Sequence, residues 1–182
     1  MATDTTTRRK FSGVQVKFLQ DFSERWMGAW NRHDADGVAS MCTPNVIYDD
    51  PALPETVRGR AAVAEFVRST MRGFPDGVFT EPEPPYASRT MQKGLGVWHF
   101  EATHLGIIDP PGFLPTGKRV ILDGVDHWWF EDGLCSRYRA DYDMFAIARQ
   151  IGAMPEAGSR MEKVGAGLQR LQVRGKRRFA RS

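Results

Sequence analysis

The sequence predicts an α+β fold, in which a curved antiparallel sheet wraps as a cone around three N-terminal helices, on three observations. Apolar residues in the first third recur at helical spacing, whereas after the Pro82 to Pro85 stretch the period drops to two. With 41% apolar and 26% charged residues, 182 residues supply one core and too little for two comfortable domains.

Phe18, Phe22, Trp26 and Trp30, joined by Leu19, lay an aromatic stripe along one side of the first helix. A turn over Asn31 to Asp36 leads to a second short helix that stops before Pro44, with Cys42 in its pattern. A strand from Val46 to Asp50 follows, in which Val46, Tyr48 and Asp50 share a face. Arg58, Gly59 and Arg60 break the chain ahead of a third helix whose apolar face is Val63, Phe66, Val67 and Met71; Phe74 to Gly77 ends it.

The later part reads as strands. From Leu95 to His104, the set Gly96, Trp98, Phe100, Ala102 and His104 is expected inward. After a Gly/Pro loop from Gly106 to Gly117, Leu122, Gly124, Asp126 and Trp128 alternate with Asp123, Val125, His127 and Trp129. A slip of register would bring Asp123 inward in place of Asp126. Glu131, Asp132 and Gly133 form a hairpin turn, the last strand runs from about Leu134 to Asp143, and Met144 to Ile151 makes a short helical turn. Beyond Pro155, Met161, Val164, Leu168 and Leu171 have helical spacing weakened by Gly165 and Gly167, which predicts an extra, loosely attached or partner-bound C-terminal helix.

The division is therefore 1–14 a flexible N-terminal segment, 15–152 the folded domain, and 153–182 the extra helix with a basic tail. Six basic residues and no acid lie from Arg170 onward, so the overall +3 leaves −3 on residues 1–169. The tail is expected to be disordered and solubilising, and no nucleic-acid motif accompanies it. No apolar run is long enough to span a bilayer, and no membrane partner is expected. Cys42 and Cys135 have no paired spacing, which points to a reduced, cytoplasmic protein. The histidines show no ligand spacing and no Gly-rich phosphate loop is visible, so neither a metal nor another cofactor is expected.

Asp50 is the leading candidate for chemistry. A carboxylate among apolar neighbours loses water, its pKa rises, and it can carry a proton near neutral pH. The plainer alternative is that Asp50, standing before Pro51, only ends a strand and starts a turn.

The stripe ending at Trp30 and Asn31, Tyr48-Asp49-Asp50-Pro51, Arg58-Gly59-Arg60, Thr103-His104-Leu105-Gly106, Leu114 to Lys118, Glu131-Asp132-Gly133, and Tyr142-Asp143 followed by Gln150-Ile151-Gly152 stand in a helix-helix-strand-helix-sheet order. In these features the chain resembles the nuclear transport factor 2-like superfamily, specifically its SnoaL-like polyketide cyclase and ketosteroid isomerase-like branches, over about residues 15 to 152. The isomerase branch implies Asp50 as general base and Asp126 as the protonated oxyanion donor. The Tyr of its oxyanion hole falls on Trp26, whose indole N–H can donate one hydrogen bond but cannot act as a phenol. The cyclases and limonene epoxide hydrolases place an acid in the last strand, at a position that falls on Ala140. Asp141 and Asp143 flank it and point away unless a bulge shifts the register.

The resemblance implies a cofactor-independent isomerase or cyclase acting on a hydrophobic polyketide- or steroid-like carbonyl compound, with catalytic Asp50 and Asp126. Trp26, Tyr48, Trp98, Phe100, His104, Trp128 and Tyr142 are expected to bind the substrate, and a homodimer is expected through the sheet around Trp129. Two alternatives stand: a non-catalytic small-molecule-binding or protein-interaction module of the same fold, and epoxide hydrolase or dehydratase-type water chemistry using Tyr48 and Asp50.

Overall fold

A computed structural model describes residues 13–179 except 89, 91, 110 and 111. The expected N-terminal segment falls almost wholly outside the described residues. Helix α1 (Gly13–Asn31) buries Leu19, Phe22, Trp26 and Trp30 along one side. At its end Asn31 clamps strand β3 (Val78–Thr80): its Nδ2 donates to Phe79 O and its Oδ1 accepts from Phe79 N, both at 2.8 Å. Helix α2 (Ala35–Ser40) is capped by the Asp34 carboxylate, which accepts Gly37 N–H at 2.8 Å. Helix α3 (Arg60–Gly73) buries Val63, Val67 and Met71, and Phe66 packs against the same core.

Seven strands form one curved open sheet in the order β2-β1-β7-β6-β5-β3, with β4 also pairing β5. The long members are β1 (Cys42–Asp49), β5 (Lys93–Thr103), β6 (Arg119–Glu131) and β7 (Leu134–Tyr142). Two short strands complete it, β2 (Val57–Arg58) and β4 (Tyr86–Ala87). These and β3 escaped the sequence reading because two or three residues carry no measurable alternation. The sheet is also not wholly antiparallel, since β1 runs parallel to β7. Cys42 opens β1 instead of closing α2 and stands opposite Cys135, both buried and free. The β1/β7 register shifts between Cys42 and Ile47, where Pro44 has no N–H to give a ladder.

The β6 to β7 hairpin turns on Asp132 (φ 48°) and Gly133 (φ 77°), a left-handed pair whose twist matches the flanking strands. The alternation puts Gly96, Trp98, Phe100 and Ala102 of β5 and Leu122, Gly124, Asp126 and Trp128 of β6 on the helix-facing side. Across these strands Gly96 pairs with Asp126 and Trp98 with Gly124. A Cβ at Gly124 would collide with the Trp98 indole, and one at Gly96 with that of Trp128. The two glycines thus let large indoles lie flat on the sheet.

Helix α4 (Met144–Gln150) is capped by Asp143, whose Oδ1 accepts Phe145 and Ala146 N–H at 2.8 and 3.1 Å. Helix α5 (Arg160–Phe179) is longer than expected and runs on into the basic stretch read as disordered. Among the described residues no helix is long and apolar enough to cross a membrane.

Gly124→Ala is expected to displace Trp98 and destabilise the fold by about 1–3 kcal/mol, the usual cost of overpacking. Urea unfolding measures this; an unchanged midpoint would show that the indole does not need the glycine.

Candidate active site

A cavity of about 110 Å³ lies between the sheet and the helices. The indoles of Trp26, Trp30 and Trp98 and the rings of Phe74, Phe79 and Phe100 make much of its wall, and the carboxyls of Asp50 and Asp126 both reach it.

Asp126 is buried at mid-β6. Its Oδ1 accepts from Trp98 Nε1 and Tyr138 OH, each at 2.7 Å, and its Oδ2 from Trp26 Nε1 at 3.1 Å. These donors favour the charged form, yet burial outweighs them, and the pKa rises from 3.8 to about 7. The negative charge of Asp50 pushes the same way.

Asp50 follows the last residue of β1 and is half-buried. Its Oδ1 accepts Ala52 N–H at 2.9 Å, closing a turn over Pro51, and Tyr142 OH at 2.5 Å. It therefore does end a strand, as the plainer reading held, while also reaching the cavity. Burial lifts its pKa from 3.8 to about 6 against those two hydrogen bonds. On its other side it borders an outer cleft with Asp49, Glu55, Arg139 and Asp141.

Of the residues expected to bind a substrate, Trp26, Trp98, Phe100 and Tyr142 line the cavity. Three others are placed behind the lining. Tyr48 stacks on Tyr138 with ring centroids 4.2 Å apart, and Trp128 packs against Phe22 and Trp26. Buried His104 faces Thr116, with Nδ1 and Oγ1 3.1 Å apart, and packs on Phe74. Strand alternation put these three inward, and inward here means core: Phe22 and Trp26 of α1 pack on Trp128, Phe66 of α3 on Tyr48, and Phe74 just after α3 on His104.

The register question resolves on Asp126. Asp123 points outward to His99 at 2.7 Å. Asp141 likewise pairs outward with Arg139 at 2.7 Å and His127 at 2.8 Å, and Asp143 is occupied in capping α4. The only irregularity between β6 and β7 lies at Trp129/Phe130, too far away to turn either acid inward. Ala140 is buried, and no last-strand acid reaches the cavity.

Among the site residues that sequence reasoning missed are Phe74 and Phe79 of the wall and Tyr138, whose hydroxyl meets Asp126 although nothing in the strand pattern signals that bond. Among the described residues, no group of three or more His, Cys, Asp or Glu is placed to hold a metal ion.

The sequence profile of the SnoaL-like domain matches residues 23–138. The chain belongs to the SnoaL-like family. No curated protein matches the sequence. Among solved structures, the chain is similar to AclR of Streptomyces galilaeus, described as a candidate hydroxylase, with a TM-score of 0.65 and 21% identity over 91% of this chain and 98% of that one. A candidate SnoaL-like polyketide cyclase from Jannaschia sp. CCS1 aligns with a TM-score of 0.68 and 18% identity, over 81% of this chain and 99% of its own. A protein of ketosteroid isomerase-like fold from Catenulispora acidiphila, in complex with trimethylamine, gives 0.61 and 12% over 72% and 92%. At these identities the solved structures speak for the SnoaL-like fold.

Because the folded protein holds the Asp50 proton more tightly than the unfolded chain, stability from this group is full below about pH 4 and falls as pH rises toward about 6. Asp50→Asn, which keeps the acceptor for Tyr142 and Ala52, should remove that loss. Urea unfolding at pH 8 should show the variant more stable by about 1–3 kcal/mol, with little difference at pH 4; equal differences at both pH values would contradict the buried-acid account.

Proposed function

We propose that this SnoaL-like protein is a cofactor-independent enzyme that moves a proton on a small hydrophobic carbonyl compound, in an isomerisation or cyclisation. The supporting observation is that Asp50 and Asp126 border one aromatic cavity with pKa values of about 6 and about 7. The group that ionises first serves as base, and its charge helps keep the other protonated. Asp50 takes a proton from the carbon next to the carbonyl. Asp126, held by Trp26, Trp98 and Tyr138, gives a hydrogen bond to the oxyanion that develops. The polar outer cleft offers the Asp50 proton a path to solvent.

The cavity of about 110 Å³ narrows the substrate class. A space on this scale holds about one ring, so a one-ring compound, or a two-ring compound whose second ring lies at the cavity mouth, suits it and a four-ring steroid does not. Water addition is less favoured, because Tyr48 is not among the residues that line the cavity. The same small volume gives a second reading, a non-catalytic binder of small apolar molecules. The homodimer expected through the sheet would use its outer face, where Lys93 and Arg137 lie 4.5 and 5.2 Å from the Trp129 ring centroid.

With 1-indanone in heavy water, the protein should catalyse exchange of the protons next to the carbonyl, and Asp50→Asn should slow it at least about 100-fold, the contribution usual for a positioned general base. Exchange no faster than in buffer would favour the binding module; exchange unaffected by the substitution would remove Asp50 from the role. For the dimer, sedimentation of wild type and Trp129→Glu is expected to give dimer and monomer respectively; two dimers would place the contact elsewhere, and a monomeric wild type would remove the dimer.

A further inference from the structure

Helix α5 starts from a built cap: Ser159 Oγ accepts Glu162 N–H at 3.2 Å, and the Glu162 carboxylate accepts Gly158 N–H at 2.6 Å. Beyond the cap no other described element packs extensively against residues 160–170 of the helix. Met161, Val164 and Leu168 remain 68%, 56% and 58% exposed. Their spacing of three and four residues places them on one strip. Arg160, Lys163 and Arg170 fall by the same spacing on an adjoining arc, and Arg174, Lys176, Arg177 and Arg178 follow them in the sequence. Glu162, used in the cap, is the one acid in the helix. Gly165, Gly167 and Gly175 weaken intrinsic helicity, so a helix of this composition gains most of its stability from whatever covers it.

We propose that α5 is a membrane-surface helix that lies on anionic phospholipid, its Met161, Val164 and Leu168 strip in the headgroup boundary and its basic arc on the phosphates. Charge decides the occupant. Residues 160–182 carry +7, which against the overall +3 leaves −4 on residues 1–159, so an anionic surface attracts the helix and repels the body. A second copy of the helix would meet the strip alone, and three exposed apolar side chains fall far short of the roughly 800 Å² a side that a stable dimer buries. A nucleic acid would meet the basic arc alone and leave the strip in water. A bilayer surface satisfies both at once. Such a helix lies on the membrane without crossing it, in keeping with the absence, among the described residues, of a helix long and apolar enough to span one.

The test uses the full chain with phosphatidylcholine vesicles, with and without phosphatidylserine, in a flotation assay. Binding is expected only to the vesicles with phosphatidylserine, and it should fall as salt rises. Lys163→Gln with Arg170→Gln should weaken it by about tenfold or more, from the loss of two phosphate-facing charges. Val164→Ser with Leu168→Ser should abolish it while thermal unfolding of the body stays unchanged, since both side chains are exposed. Failure to bind either vesicle, or equal binding to both, would overturn the proposal. Full binding by the double-Ser variant would do the same. So would tighter binding to a short DNA duplex than to the anionic vesicles, or a dimer that the double-Ser variant dissolves in the absence of vesicle binding.

Discussion

Three donors on three elements converge on one carboxyl: Trp26 of α1, Trp98 of β5 and Tyr138 of β7 all reach Asp126 of β6. A buried carboxyl with no partners would be costly, and so would three buried N–H and O–H groups without an acceptor. Their joint satisfaction ties the first helix to the middle of the sheet and fixes how deep the cavity can be. Gly124 belongs to the same constraint, because the Trp98 indole reaches its place only where the opposite strand has no side chain.

The two acids are held differently. Asp126 sits in a rigid socket of aromatic donors. Asp50 sits on a turn after β1, with one hydrogen bond from the turn and one from Tyr142. The softer setting leaves Asp50 in touch with an outer polar cleft as well as the cavity. A proton carrier needs such double access, and an oxyanion donor needs the fixed geometry.

Much of this was legible in the sequence. The four-residue aromatic spacing of α1, the period-two strands and the Asp132-Gly133 turn are local signals, and each gave its element within a few residues. The Asp50 and Asp126 pair was legible as well, through alternation and the family pattern. What alternation could not separate was core from cavity, because both lie on the same face of a strand. Tyr48, Trp128 and His104 were therefore expected on the ligand side although aromatic side chains on or just after the helices pack against them. The parallel pairing of β1 with β7 joins distant segments, and the Tyr138 bond to Asp126 runs diagonally across the β6/β7 hairpin; neither is encoded in the period of a single strand.

Two of the five tryptophans donate to the same carboxyl. Gain or loss of one proton at Asp126 therefore changes the electrostatic field at both indole rings in a water-poor setting. The protein carries its own optical gauge of the charge in its cavity, readable as emission against pH without any label or ligand.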